Sequence, residues 1–363
     1  MSHLNQHPKF GFLNYFNMIN YYYNYYKKFA RSLLVANRPR KNASDYASVG
    51  LVNTSIGTTN LGDIIIFDAV YKHLREVYPD AFLTHYPSQI HRDYDARLSM
   101  AGEDVIFVGG TNLLSSNMQS RYQWKIDPLD KFFLKNKVVL MGVGWWQYQS
   151  KPDNYTKALL KSILSDKYQH SVRDSYTKEM LNSIGINNVI NTTCPTLWEL
   201  SPEKCNVVNR LKAKDVVTTL TFYKRDDAAD LKLLNLLMDN YENVYLWVQG
   251  IDDVGYLKEL LPDSSRITLV SPSIEAYNEI LSKDNIEYLG TRLHAGVRAI
   301  QRGVRTLIVA VDNRAIEIGK DTNLNVIERS NLDLAYEFIN NSYSTDIKLP
   351  NENIMEWKKQ FKS

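Results

Sequence analysis

The residues best suited to chemistry lie between Asn285 and Gly303, in the run Asn-Ile-Glu-Tyr-Leu-Gly-Thr-Arg-Leu-His-Ala-Gly-Val-Arg-Ala-Ile-Gln-Arg-Gly. The apolar stretch Ile286 to Leu289 reads as a buried strand, Gly290 turns the chain, and Thr291 is a good N-cap for a helix beginning near Arg292. Arg292 and His294 then fall in the first helical turn, where free backbone N–H groups and the positive end of the dipole favour an anion. Arg298, four residues after His294, shares its helical face and adds positive charge. An arginine beside a histidine at such a helix start suits a small phosphorylated carboxylic acid. The same spacing also fits an ordinary strand–helix junction with a surface arginine and a capping histidine.

Other segments repeat this plan. Ser171-Val-Arg-Asp-Ser-Tyr176 ends a strand with Arg173 at its carboxyl edge, and Asp174 or Ser175 caps the next helix. Arg173 and Arg292 are therefore expected to face each other across a cleft, the alternative being a surface pair of Arg173 with Asp174. Asn60-Leu-Gly-Asp63 opens a helix after a small polar loop, and Asp63 is either a carboxylate presented to a ligand or a helix cap. Two strands end in glycines, Gly109-Gly110-Thr111 and Gly142-Val-Gly144, which allow a tight turn or close backbone approach to a ligand. Adjacent Trp145 and Trp146 offer indole faces on which a hexose can stack, and core packing competes for one of them. There is no Gly-x-Gly-x-x-Gly, no Gly-x-Ser-x-Gly, and no histidine at a recognisable spacing from Cys194 or Cys205. Arg225-Asp-Asp227 opens a helix and reads as a cap, so no metal is expected.

Positioning these residues requires an alternation of strands and helices, and the sequence has one. Apolar runs at Val49–Thr54, Ala81–His85, Asp104–Val108, Val138–Val143, His170–Val172 and Val189–Asn191 are separated by helical patterns, among them Asp63–Val77. After Ser201–Lys214, broken by Pro202, the alternation resumes at Val216–Phe222, Val244–Val248, Ile267–Val270, Ile286–Leu289 and Thr306–Ala310. Continuous apolar strands between amphipathic helices indicate parallel sheets covered on both faces. The expected class is α/β with two doubly wound, Rossmann-like domains: 46–200, a linker at 201–214, 215–345, and a helix in 346–363. Two such domains in tandem leave a cleft at the carboxyl ends of their sheets.

The chain has 363 residues, 44% of them apolar and 23% charged, and a net charge of +3. Residues 1–44 carry seven Lys or Arg and no acid, leaving 36 basic against 40 acidic residues elsewhere. Within 1–45, an aromatic and basic helix is expected over residues 13–34, fit for an anionic membrane surface, for the body of the protein or for a second subunit. Nucleic acid is not an expected partner, since no recognition motif accompanies the charge. With no signal peptide and no cysteine framework, a cytoplasmic setting is expected, with peripheral attachment to the inner membrane face through the head as an extension. Oligomeric state is not legible.

In sum of motifs the chain resembles the polysaccharide pyruvyl transferase family. The resemblance rests on Asn60-Leu-Gly-Asp63, Val108-Gly-Gly-Thr-Asn-Leu113, Gly142-Val-Gly144, Ser171-Val-Arg-Asp174, Cys194-Pro195 and Gly290-Thr-Arg-Leu-His-Ala295, in order across residues 48–320. It implies a fold like that of the two-domain glycosyltransferases of the B type, with acceptor on the first domain and donor on the second. It also implies transfer of pyruvate from phosphoenolpyruvate, a co-substrate rather than a cofactor, to two hydroxyls of a hexose in a glycan, free or lipid-linked. Arg173, Arg292, Leu293 and His294 match donor-binding positions of the family. Thr111 stands where the family often has a third glycine, and Arg314 is the nearest counterpart of a usual lysine. Chemically, His294 is the candidate acid or donor to phosphate and Asp63 the candidate base. Asn60, Gly109, Gly110, Thr111, Gly142, Gly144 and Arg314 are candidate loop contacts, and Arg298 joins the donor group. A sugar-nucleotide glycosyltransferase and a non-catalytic subunit of a glycan-assembly complex are the rival expectations.

Overall fold

The computed structural model describes residues 19–20, 22–27, 30–31, 45–120 and 123–361. Among them two α/β units follow one another. In the first, strands β1 (Ser48–Asn53), β2 (Phe82–Pro87), β3 (Val105–Gly109) and β4 (Val138–Met141) form a parallel sheet in the order β2-β1-β3-β4. The pair β5 (His170–Val172) and β6 (Val189–Asn191) continues it through a parallel bridge between Val143 and Val172. In the second, β7 (Asp215–Thr218), β8 (Asn243–Trp247), β9 (Ile267–Val270), β10 (Ile286–Gly290), β11 (Thr306–Ala310) and β12 (Val326–Glu328) run in the order β12-β11-β10-β7-β8-β9.

Period-two alternation with apolar residues on both faces explains why these runs are strands. Val52, Ile106, Val108 and Leu140 enter one core of the first sheet, while Leu51, Phe107, Val139 and Met141 enter the other. In the second sheet Val217, Tyr288 and Ile308 face one layer of helices, and Val216, Leu289 and Leu307 the opposite layer. Each strand order reverses once, between β1 and β3 and between β7 and β10. At such switch points the flanking connections leave in opposite directions and open a crevice at the carboxyl edge.

The expected doubly wound architecture is present, with local corrections. The strand expected over Val216–Phe222 stops at Thr218, and a 3-10 turn follows at Phe222–Lys224. The strand expected over Val138–Val143 stops at Met141, where Gly142 takes φ +65°. Helices Tyr94–Gly102 and Asn313–Thr322 and strand β12 had no expectation. The expected linker contains a short helix, Pro202–Asn206, capped by Ser201. The C-terminal helix, Asn351–Lys359, crosses back to the first unit, where Trp357 and Phe361 pack on Phe107. Of the expected head helix, residues 19–20, 22–27 and 30–31 are helical, and Ile19, Tyr22, Tyr23 and Tyr26 are exposed. The rest of residues 13–34 lies outside the described residues. No helix among the described residues is long and apolar enough to cross a membrane.

His170 sits where β5 is secured to β4. Its Nδ1 accepts from the Leu140 N–H at 3.3 Å, so Nε2 carries the proton and donates to the Ser165 carbonyl at 2.9 Å. Burial lowers its pKa from 6.5 to about 4, with the Ser165 carbonyl opposing. The unfolded chain therefore binds a proton below pH 6.5 that the folded chain refuses until about 4. The associated stability is complete above that window and lost as pH falls through it. Wild type is expected to lose about 3 kcal/mol more than His170→Gln between pH 7.5 and 4, measured by urea unfolding. Equal losses would show that His170 does not gain a proton on unfolding.

Candidate active site

A cleft of about 620 Å³ separates the carboxyl edges of the two sheets. The first unit contributes Thr58, Asn60, Asp63, Gln89, Thr111, Asn112 and Trp146, and the second Tyr223, Lys224, Asp312 and Arg314. A recess of about 20 Å³ adjoins it, lined by Asn60, Tyr223, Gln249, Arg292, Leu293, His294, Asp312 and Arg314. The seam beside the recess is hydrogen-bonded across the units. The Leu61 N–H donates to the Gln249 carbonyl at 2.9 Å, and Gln249 Nε2 donates to Asn60 Oδ1 at 2.8 Å.

Three helix N-termini converge here: Gly62–Val77 through Asp63, Leu293–Gln301 through His294, and Asn313–Thr322 through Arg314. Their combined dipoles and free N–H groups favour an anion. Arg292, not Thr291, is the N-cap of the second helix. The Thr291 hydroxyl is taken by β7's extension, donating to the Thr219 carbonyl at 2.9 Å and meeting Thr221 Oγ1 at 2.8 Å.

Each arginine is aimed by a carboxylate. Arg292 donates from Nε to the Leu220 carbonyl at 2.6 Å and from Nη2 to Asp253 Oδ1 at 2.7 Å, with the Tyr223 ring 4.8 Å from its guanidinium. Arg173 is fully buried, donating from Nε to Asp174 at 2.9 Å and from Nη1 to Asn112 at 2.5 Å. It reaches this depth because Gly144 has no side chain: a Cβ there would collide with the guanidinium. Arg314 bonds both Asp312 oxygens and donates to the Tyr223 hydroxyl at 3.2 Å. Among the described residues, Arg292 Nη1 and Arg173 Nη2 are buried without a hydrogen-bond partner. A buried N–H left unpaired is costly, and an anion in the recess, which Arg292 lines, removes that cost at its Nη1.

The titratable groups are set by these arginines and by burial. Burial, then Arg314 and Arg173, lower the His294 imidazole to about 3, so it is neutral at ordinary pH. Burial raises Asp312, but Arg314 outweighs it and holds that carboxyl down to about 2. Burial raises the Asp63 carboxyl, only partly offset by its bond from Thr58 Oγ1 at 2.7 Å and by Arg314. Asp63 does not act as a helix cap: the N-cap position is Leu61, and the Asp63 carboxylate lines the cleft.

The structure thus brings Asn60, Asp63, Thr111, Arg292, Leu293, His294 and Arg314 to the cleft and recess, with Trp146 on the cleft wall, while Arg173 lines neither and lies buried behind the cleft residue Asn112. It does not bring in the others. Arg298 lies one turn further along its helix, donating to Asn278 at 2.9 Å, and lines a separate cavity with Asp68 and Lys72. Trp145 is fully buried, whereas Trp146 lines the cleft. Gly109, Gly110 and Gly142 back onto Val70, Ile66 and Pro195. Sequence reasoning missed Asp253 and Gln249, and quoted Cys194 only within the Cys194-Pro195 motif, with no role at the site. Asp253 follows β8 and a glycine at the carboxyl edge, the position that singled out Arg173. Cys194 Sγ lies 3.7 Å from His294 Nε2, a histidine partner that no spacing across 100 residues could reveal.

Asp253→Asn is expected to cost about 3–5 kcal/mol of stability, because the Arg292 charge loses its buried partner. Chemical denaturation measures this, and a change below 1 kcal/mol would show that the pair is not coupled.

A family model described as polysaccharide pyruvyl transferase matches residues 60–313. No curated protein sequence matches the chain significantly. Among solved structures, UDP-GlcNAc 2-epimerase of Methanocaldococcus jannaschii, in complex with UDP-GlcNAc and UDP, is 13% identical, with a TM-score of 0.48 over 87% of this chain and 97% of that one. The lipopolysaccharide outer core galactosyltransferase WaaB, in its apo form, is 11% identical, with a TM-score of 0.44 over 86% of this chain and 95% of that one.

Proposed function

The chain belongs to the polysaccharide pyruvyl transferase family, and from that premise we propose that it moves pyruvate from phosphoenolpyruvate onto two hydroxyls of a hexose in a glycan, forming a cyclic ketal. What supports this donor is the unpartnered Arg292 Nη1 on the wall of a recess where three helices begin, with the buried Arg173, whose Nη2 is also unpartnered, close enough to lower the His294 pKa. A carboxylate and a phosphate on one small molecule suit paired arginines, which bind planar anions through parallel N–H bonds.

The reaction needs a proton at the methylene carbon, a hydroxyl oxygen at the adjacent carbon, and departure of phosphate with its bridging oxygen. The second hydroxyl then closes the ring, so the two hydroxyl protons are balanced by the new methyl C–H and the released phosphate. Asp63, with a carboxyl raised by burial and facing the cleft, is the base for a sugar hydroxyl. His294, neutral in the free site, donates an N–H to the departing phosphate rather than acting as an imidazolium. Trp146 offers its face to the acceptor sugar.

Incubation with phosphoenolpyruvate and a panel of galactosides, glucosides and mannosides tests the reading. Phosphate release together with the mass gain of a pyruvyl ketal supports it. Turnover only with nucleotide sugars would replace it with glycosyl transfer, and no turnover with any donor would leave a non-catalytic subunit.

The exposed rings Tyr22, Tyr23 and Tyr26, with Lys27 and Arg31 close by in the sequence, suit an anionic bilayer surface that presents a lipid-linked acceptor. Each cation near such a surface contributes about 1 kcal/mol. The intact protein is expected to sediment with vesicles containing anionic lipid and to leave them at high salt. Deleting residues 1–44 should spare turnover of a soluble sugar and weaken that of a lipid-linked one. Equal activity on both, without vesicle binding by the intact chain, would remove the membrane role.

A further inference from the structure

The geometry points to Cys194 as a positioning residue that holds the His294 imidazole in one tautomer, its thiol donating to Nε2 so that the ring proton sits on Nδ1. The inference rests on the proposed role of His294 as a donor to phosphate, and it adds a residue to which no role has been given.

Cys194 is completely buried, immediately before the 3-10 turn Pro195–Leu197, and that turn packs against the helix Gly62–Val77. Its sulfur lies 3.7 Å from His294 Nε2 and receives a hydrogen bond from Thr196 Oγ1 at 3.1 Å. The hydroxyl occupies a lone pair of the sulfur and leaves its single proton free to be given to the ring. Nδ1 has no hydrogen-bond partner among the described residues, and His294 borders the recess.

The pair differs from a nucleophilic cysteine–histidine couple. A thiolate is favoured by an adjacent imidazolium and by exposure to water. Here burial pushes the thiol up, opposed by the Thr196 bonds and by Arg173, while burial, Arg314 and Arg173 push the imidazole down against Asp312. Both partners stay neutral. The thiol, wholly enclosed, is set to orient the ring and not to attack a substrate. Which ring nitrogen carries the proton is then decided by the partner of the other, the usual way a histidine is oriented. An Nδ1–H gives a fixed donor for an anionic oxygen without bringing a further positive charge beside Arg173 and Arg314.

Nitrogen NMR of the full chain labelled at its seven histidines tests this, with His294 assigned through His294→Gln. Wild type is expected to show His294 protonated on Nδ1 and bare on Nε2 from pH 8 to pH 5. Cys194→Ser, whose hydroxyl also donates, should keep that signature, and Cys194→Ala should lose it to a mixture of tautomers. Calorimetry with inorganic phosphate should show binding weakened roughly 2–3-fold in Cys194→Ala and unchanged in Cys194→Ser. A wild-type ring protonated on Nε2, or charged within that pH range, overturns the inference without recourse to any variant. A wild type that keeps the Nδ1–H signature yet binds no phosphate supports the thiol's role and removes the phosphate reading instead.

Discussion

His294→Ala is expected to lower turnover at saturating phosphoenolpyruvate by about 10²–10³-fold, the loss typical of removing one hydrogen-bond donor to a developing oxyanion. The expectation follows from where the ring lies and from its charge. His294 stands in the first turn of the helix Leu293–Gln301, only 5% exposed, on the wall of the recess. Its neutrality in the free site makes it a weak aid to ground-state binding and a stronger one as charge gathers on the leaving phosphate. The loss should therefore fall on kcat, with the Michaelis constant for the donor changed by less than about 3-fold. Steady-state kinetics with phosphate release as the readout decides it. Full activity in this variant would return His294 to a structural role, and a loss confined to the Michaelis constant would make it a binding residue.

Arg292→Lys is expected to lower kcat/KM for phosphoenolpyruvate by about 10²–10³-fold although formal charge is conserved, since several charge-assisted bonds of about 1.5–3 kcal/mol each are affected. The guanidinium performs three tasks through different nitrogens. Nε is fixed to the Leu220 carbonyl, Nη2 to Asp253, and Nη1, without a partner among the described residues, is the nitrogen proposed to meet the donor. An ammonium on a flexible stem cannot keep the two anchors and still present a donor at the third position. It also forfeits the planar contact with Tyr223. Stability should fall as well, because the Leu220 carbonyl and Asp253 become imperfectly paired, and a thermal shift measured alongside separates that loss from the binding defect. An unchanged Michaelis constant for the donor would argue against the assigned role.

The strand–helix alternation was legible because its causes are local. Runs such as His170–Val172, Val189–Asn191, Ile267–Val270 and Thr306–Ala310 occupy the residues their composition indicates. Asp174 and Asp226 cap the helices that follow them, as short acidic side chains before a helical pattern should. Reading failed where a local preference was overruled by a distant partner. Thr291 has the chemistry of a cap, but Thr219 and Thr221, in the segment that follows β7, claim its hydroxyl. Arg298 has the right helical phase, but phase says nothing about distance along the axis, and Asn278 draws its side chain elsewhere. The helix Asn313–Thr322 escaped notice because its polar, glycine-containing sequence has weak intrinsic preference. It forms against β11 and β12, which it covers.

The recess divides in the same way. From the sequence alone came the ends of the strands, the glycines beside them, and therefore the arrival of Arg173, Asp63, Arg292 and His294 at the carboxyl edges of two sheets. Those positions follow from backbone periodicity and turn chemistry within about a dozen residues. Only the tertiary structure decided which nitrogens of those arginines are spent and which remain. Asp253 is 39 residues from Arg292, and Asn112 is 61 residues from Arg173. The charge states of His294 and Asp63 were likewise undecided until folding removed their water and brought Arg314 alongside. Hydrogen-bond saturation and desolvation are properties of the packed whole, so no local pattern carries them.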